Sequence, residues 1–395
     1  MLLMMMLDLA NRVRFCLVDL HGKLFQLVKK WCAYKAYSDR KIVIVDLAEG
    51  RYMKSYNPFQ WREGVERSVQ VGGMVNAVVA GVWGGRDVGE HSNIFKLLTV
   101  LFTVIIEKHL TLLDGFTLFA DRDKMKKAVK ELKDPPIEAL WSNLLKIGDG
   151  EWSRHISPAM TRIYRIICSE AMQWFLGQLD NTLKPTFEET VLMNFGKSGR
   201  LDHDAASVAA ALWIHDLYQS SFQRERKYGK DPAPYYVYAD EWWLVPTDHY
   251  AKIMFETRKQ GLLLVLANHD IAQLRQTFGS NFAESIHTMT QIKIVFGGIG
   301  DEDNARLARE LQVNKETLIN LPKQHCFIKV GQQPAQLVRV PDVKDPHVAQ
   351  STIDAYEKKI AEKTGAVPIR EIDRHHRMPQ NEGKPSNGSW TDGWS

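Results

Sequence analysis

"YYVYADEWWLV", residues 235–245, runs a stretch of strand-forming side chains straight into Asp240 and Glu241. Its apolar run is continuous rather than alternating, which predicts a strand covered on both faces, as in a parallel sheet under helices. At the C-terminal edge of such a strand, side chains open into the crevice where α/β proteins bind ligands. An Asp there can hold Mg2+ directly or through water, and a Glu beside it can orient and polarise an attacking water. The same two acids could instead cap the next helix or face solvent. Trp242 and Trp243 read as packing between sheet and helix.

Working outward, "LLLVLANHD" (262–270) is a second buried strand whose end presents Asn268 and His269, a polar pair expected at the same sheet edge. Between the two strands, "FETRKQG" puts Arg258 and Lys259 in a last helical turn before Gly261. Cations there suit the helix dipole, and they could also neutralise a phosphoryl group in a neighbouring subunit. "TVLMNF" (190–195) and "IKIVFG" (292–297) complete a β/α alternation that predicts a parallel sheet with right-handed crossovers. Two more strands of this kind, "FCLVD" (15–19) and "KIVIVD" (41–46), stand at the front of the chain.

The pattern divides the chain into residues 1–64, an all-helical insertion over 65–180, a second α/β part over 181–340 ending in the hairpin "HCFIKVGQQPAQLVRV", and a helix with a polar tail over 341–395. That tail, "PQNEGKPSNGSWTDGWS", is expected to be disordered. "QSSFQRERKYGK" (219–230) supplies Arg224, Arg226, Lys227 and Lys230, which read either as a solvated loop or as contacts to a DNA backbone.

The 395 residues carry a net charge of only +4, which by itself gives no argument for nucleic-acid binding. The four cysteines form no C-x-x-C pair, so they read as thiols in a reducing compartment, and a cytoplasmic location is expected. The longest apolar stretch, "IFKLLTVLFTVIIEKHLTLL" (94–113), contains Lys96, Glu107, Lys108 and His109 and reads as a core helix rather than a membrane span.

Taken in order, "VLMNFGKSGRLDHD", "YYVYADEWWLV", "FETRKQG", "LLLVLANHD" and "IKIVFGGIGDEDNARLARELQ" resemble the second half of the motor domain of the HerA/VirD4-type DNA-pumping ATPases, RecA-like P-loop proteins of conjugation and type IV secretion. "FCLVDLHGKL" and "KIVIVDLAEGRYMKSYNPF" are similar to the strand, Asp-x-His-Gly turn and Asn-Pro segment of that family. The resemblance spans about residues 12–340.

It implies a RecA-like α/β core with ATP and Mg2+ as cofactors, DNA as partner and a homo-hexameric ring, with a membrane-anchored component of a secretion or conjugation system as a further partner. It makes Asp240 the magnesium-associated acid and Glu241 the catalytic carboxylate. Arg258 becomes the arginine of the family's E-A-R-K-x-G segment, and His269 takes the place of a phosphate-sensing glutamine. Asp19 and Asn268 fall at cofactor-binding positions. Lys23 stands where relatives often carry an acid.

The phosphate-binding signature G-x-x-x-x-G-K-S/T occurs nowhere in the sequence; "GKSGR" (196–200) has the wrong glycine spacing. Two expectations follow from the resemblance. Either the chain is an N-terminally shortened DNA-translocating ATPase, missing the loop and a central strand and so leaving apolar neighbours uncovered, or it is a catalytically inactive relative serving as a scaffold. A nucleotide-regulated metabolic enzyme ranks last, because no substrate constellation supports it.

Overall fold

The computed structural model describes residues 1–369 other than 38, 63, 84–91, 147, 197, 246, 248 and 299. Its strands are β1 (Phe15–Asp19), β2 (Ile42–Asp46), β3 (Tyr52–Met53), β4 (Thr190–Asn194), β5 (Tyr235–Asp240), β6 (Leu262–Leu266), β7 (Ile292–Phe296), β8 (His325–Val330), β9 (Gln336–Arg339) and β10 (Val367–Pro368). Five of them form one parallel sheet in the order β2-β4-β1-β5-β6. β3 and β10 make a short antiparallel pair.

Why these runs are strands is visible in how their residues divide. Phe15 and Leu17 of β1 face one side, with Met5, Leu9, Phe25 and Ile360 from the helices Leu2–Ala10, Lys23–Tyr34 and Gln350–Thr364. Cys16 and Val18 face the other side, toward the helix His203–Ser221. The same split, Ile42 against Val43 and Leu192 against Val191, recurs in β2 and β4. Both faces are thus dry, as the unbroken apolar runs require. β6 is the exception: it lies at the sheet's edge, and Leu263 to Leu266 are only half-buried.

The polypeptide between β3 and β4 contains seven helices among the described residues, from Arg67–Trp83 to Glu170–Leu176. Their apolar side chains are continuous with the core on that side of the sheet. The helix His203–Ser221 lies in the middle and is buried nearly all round, which its run of alanines permits. Gly73 lets the helix Arg67–Trp83 cross it closely, since a Cβ there would sit 2.0 Å from Cε1 of His215.

At that crossing His215 Nδ1 lies 3.0 Å from His249 Nε2, and His249 Nδ1 lies 2.8 Å from Thr247 Oγ1. Burial, with His215 and Lys252 adding repulsion, pushes His249 well below its usual protonation range. The unfolded chain therefore binds a proton here, near pH 6.5, before the folded chain does. Stability supplied by the neutral His249 is complete above that pH and falls as pH drops toward the folded value, by about 1.4 kcal/mol per unit in that window. Thermal melts of the wild type and of His249→Gln between pH 7.5 and 5 check this. The wild type is expected to lose the larger share of its melting temperature, and equal losses would sink the assignment.

One strand departs from expectation. "IKIVFG" does not join the parallel sheet: β7 pairs antiparallel with β8, and β8 with β9, in a separate three-stranded sheet. The hairpin β8–β9 offers β7 a partner in register over five residue pairs. One face of this sheet, through Val295 and Phe327, covers Leu307 and Leu311 of the helix Asp301–Leu311. Ile292, Ile294 and Phe296 project from the other face and stay exposed. The polar tail from 370 onward lies outside the described residues, and among those described no helix is long and apolar enough to cross a membrane.

Candidate active site

Four neighbouring strands end at one level on a polar residue: Asp46 of β2, Asn194 of β4, Asp19 of β1 and Asp240 of β5 stand opposite one another in register. Asp46 and Asn194 were not singled out from the sequence. The signal was there, since "KIVIVD", "TVLMN", "FCLVD" and "YYVYAD" all close on Asp or Asn. Asn194 Nδ2 donates to Asp46 Oδ1 at 2.8 Å, and its Oδ1 accepts from the Gly196 amide at 2.9 Å.

Asp19 is fully buried and accepts three backbone N–H groups, from His21 (2.9 Å), Gly22 (2.8 Å) and Phe25 (2.7 Å). Its carboxylate therefore builds the turn that starts the helix Lys23–Tyr34. Gly22 is required in that turn twice over: its φ is +79°, and a Cβ would meet Asn194 Oδ1 at 2.7 Å. Lys23 is the first residue of the helix itself.

Asp240 is half-buried, and its carboxyl is pushed above the usual range by burial, then by Asp19 and Glu241. Such an excess of negative charge is what a divalent cation relieves. Among the described residues no three His, Cys, Asp or Glu side chains form a metal cage. Mg2+ characteristically takes one or two carboxylates and completes its shell with water and phosphate oxygens, and Asp240 fits that role.

Glu241 turns out of the strand in the left-handed conformation, φ 50° and ψ 48°, and its side chain is buried. That backbone costs a non-glycine residue on the order of 1 kcal/mol. What holds it is a pair of contacts. The Trp243 indole N–H donates to Oε2 at 2.7 Å, and His269 Nε2 lies 2.9 Å from Oε1. Trp242 packs as expected, stacked on Phe278 and edge-on to Tyr250.

His269 is therefore brought to Glu241 from β6, with most of its ring in solvent. Asn268 sits at the same edge, where its Nδ2 donates to the Asp270 carbonyl at 2.7 Å; Asp270 in turn caps the helix Ile271–Phe278. Arg258 is exposed at the opposite edge, before β6 begins. The five residues of β6 put about 17 Å between it and the acid pair.

The basic stretch also lies at that far edge, and it is helical over Arg224–Tyr228. The expectation that Arg224 contacts DNA is corrected. Its guanidinium is buried, donates to the Gln260 and Ala233 carbonyls at 2.7 and 2.6 Å, and covers the Phe187 ring. It ties together the segments entering β5 and β6. Lys227 pairs with Glu188 at 2.6 Å, while Arg226 and Lys230 are exposed.

Among solved structures, the chain is similar to the bacterial conjugative coupling protein TrwBdeltaN70 in its unbound form, at 15% identity over 84% of this chain and 87% of that one, with a TM-score of 0.57. It is similar to the plasmid coupling protein TrwB in complex with ADP and Mg2+, at 14% identity over 85% and 86%, TM-score 0.58. VirB4 of Thermoanaerobacter pseudethanolicus matches at 11% identity over 86% and 85%, TM-score 0.52. At these identities the likeness is one of fold, and the fold is the RecA-like α/β fold of those proteins. A conjugative coupling protein is the kind of relative that the sequence motifs resemble. No family model matches the chain, and no curated protein does.

Proposed function

We propose that this chain is the motor part of a DNA-translocating ATPase of the conjugation and type IV secretion kind, working in the cytoplasm as a homo-hexameric ring. Residues 1–64 and 181–340 would form the ATPase core, 65–180 its helical insertion and 341–395 an appended helix and tail. A membrane-anchored component of the same system would dock the ring. The observation that carries this reading is Glu241, forced into a left-handed turn beside Asp240 and fixed by Trp243 at the ligand-binding edge of a parallel sheet. A residue with only a packing role has no reason to keep a carboxylate there.

In this reading Asp240 would hold Mg2+, which would supply positive charge against the phosphates of ATP. Glu241 would accept the proton of the attacking water through Oε1, the oxygen that His269 meets here, and Trp243 would keep Oε2 still. Asn268, at the same sheet edge, would be a further phosphate contact. Arg258, a strand length away, would act on the site of the neighbouring subunit. TrwB was crystallised with ADP and Mg2+ and with an ATP analogue, which supports these cofactors here.

A second reading, a scaffold without turnover, is favoured by one specific observation: both Glu241 oxygens are engaged within the chain. The test is Mg2+-dependent binding of a fluorescent ATP analogue, to this chain and to a form extended at its amino end by a phosphate-binding loop. Binding that Asp240→Ala abolishes supports the motor; no Mg2+-dependent binding in either form leaves the scaffold.

A further inference from the structure

The helix Arg122–Leu132 in the helical insertion has two unlike faces. Met125, Ala128 and Val129 are buried in the common core. Everything exposed on it and at its C-cap is charged: Asp123, Lys124, Lys126, Lys127, Lys130, Glu131 and Lys133. Its position is firm at both ends. Asp121 caps it by accepting from the Lys124 amide at 3.0 Å, the Arg122 guanidinium covers the Trp152 ring at 5.3 Å, and Lys133 ends it in the left-handed conformation, φ 54°.

All but Asp123 of the neighbouring acids are already matched. Asp121 pairs with Lys124 at 3.3 Å, Glu131 with Lys108 and Asp134 with Arg67. Among the described residues no carboxylate forms an ion pair with Lys126, Lys127, Lys130 or Lys133. The outward face therefore carries an excess of cations over Asp123 and Glu131, the latter already drawn on by Lys108 and Lys127. From Lys126 to Lys133 the row runs about 10 Å along the helix axis, the rise of about three nucleotides of one DNA strand.

We propose that this lysine row is a binding site for the phosphate backbone of nucleic acid. Flexible lysines at helical spacing suit a repeating polyanion that has no fixed register. A protein partner would need an apolar centre to anchor on, and this face exposes none. The site deepens the DNA-moving reading above and rests on it for its role. It moves the principal DNA contact from the stretch 224–230, where Arg224 is buried and Lys227 is paired, to the helical insertion.

The experiment is fluorescence anisotropy of a labelled DNA duplex with this chain, without nucleotide, over a salt series. With about four phosphates neutralised, affinity should fall roughly 100-fold between 50 and 200 mM salt. The variant Lys126→Gln/Lys127→Gln/Lys130→Gln should bind more weakly at low salt and lose about 2.7 from the log–log slope. Arg226→Gln/Lys230→Gln should leave the slope within about one. All of these positions are exposed, so circular dichroism should report an intact fold.

A triple variant with wild-type affinity and slope overturns the site, as does a wild type that fails to bind at 50 mM salt. Polyglutamate competing as well as unlabelled DNA overturns the nucleic-acid assignment in favour of an acidic protein. Because no ATP is present, failure here is separate from failure of the ATPase reading, which nucleotide binding alone decides.

Discussion

Glu241→Gln, in a form that carries a phosphate-binding loop, is expected to lower ATP turnover by about 10²- to 10⁴-fold, the contribution of a positioned general base, while ATP affinity stays at the wild-type level. The amide keeps the shape of the side chain and can still meet Trp243 through its oxygen, so the turn at Glu241 should survive. What it loses is the capacity to take a proton from water. A steady-state rate assay beside equilibrium binding of an ATP analogue separates the two effects. Turnover at the wild-type rate would remove Glu241 as the base, and a parallel loss of ATP binding would show that the substitution had disturbed Asp240 instead.

The largest effect on stability is expected at a different buried charge. Arg62 is held against Asp216 of the central helix, its Nε donating to Oδ1 at 2.8 Å and its Nη2 meeting Oδ2. Tyr56 OH completes the group, 3.1 Å from both Asp216 Oδ2 and the Leu212 carbonyl. All three side chains are buried, where the Asn-Pro segment passes from the sheet into the helical insertion. Arg62→Met or Asp216→Leu alone strands a charge out of water and should cost about 3–5 kcal/mol. The double substitution removes both charges and should recover most of that loss. Denaturant unfolding of the three variants checks this, and losses that simply add would mean that the two groups do not act as a pair.

How much of this was legible beforehand depends on whether the signal was local. Four strands of the parallel sheet could be read because burial on both faces leaves an unbroken apolar run, and the acid pair because it interrupts one. The row Asp46–Asn194–Asp19–Asp240 needed register, which no single segment carries. β7 looked like its neighbours but went elsewhere, because a strand's partner is chosen by what lies beside it in space. Arg224 was misread for a related reason: in a run of cations, only the fold decides which one turns inward toward bare carbonyls. The contact of His269 with Glu241 joins residues on adjacent strands, and the left-handed backbone at Glu241 has no marker in sequence at all.

The free edge of β6 also has a consequence for how the chain behaves among its own copies. "LLLVL" contains no proline or charge, the devices by which exposed strands avoid recruiting others. Nearby in sequence, β7 is likewise the outermost strand of its sheet and turns Ile292, Ile294 and Phe296 to water. Each of these borders is a place where a further strand would pair. Covering these two borders is thus a demand that the sheets themselves place on any assembly of the chain, separate from the chemistry of the acid pair.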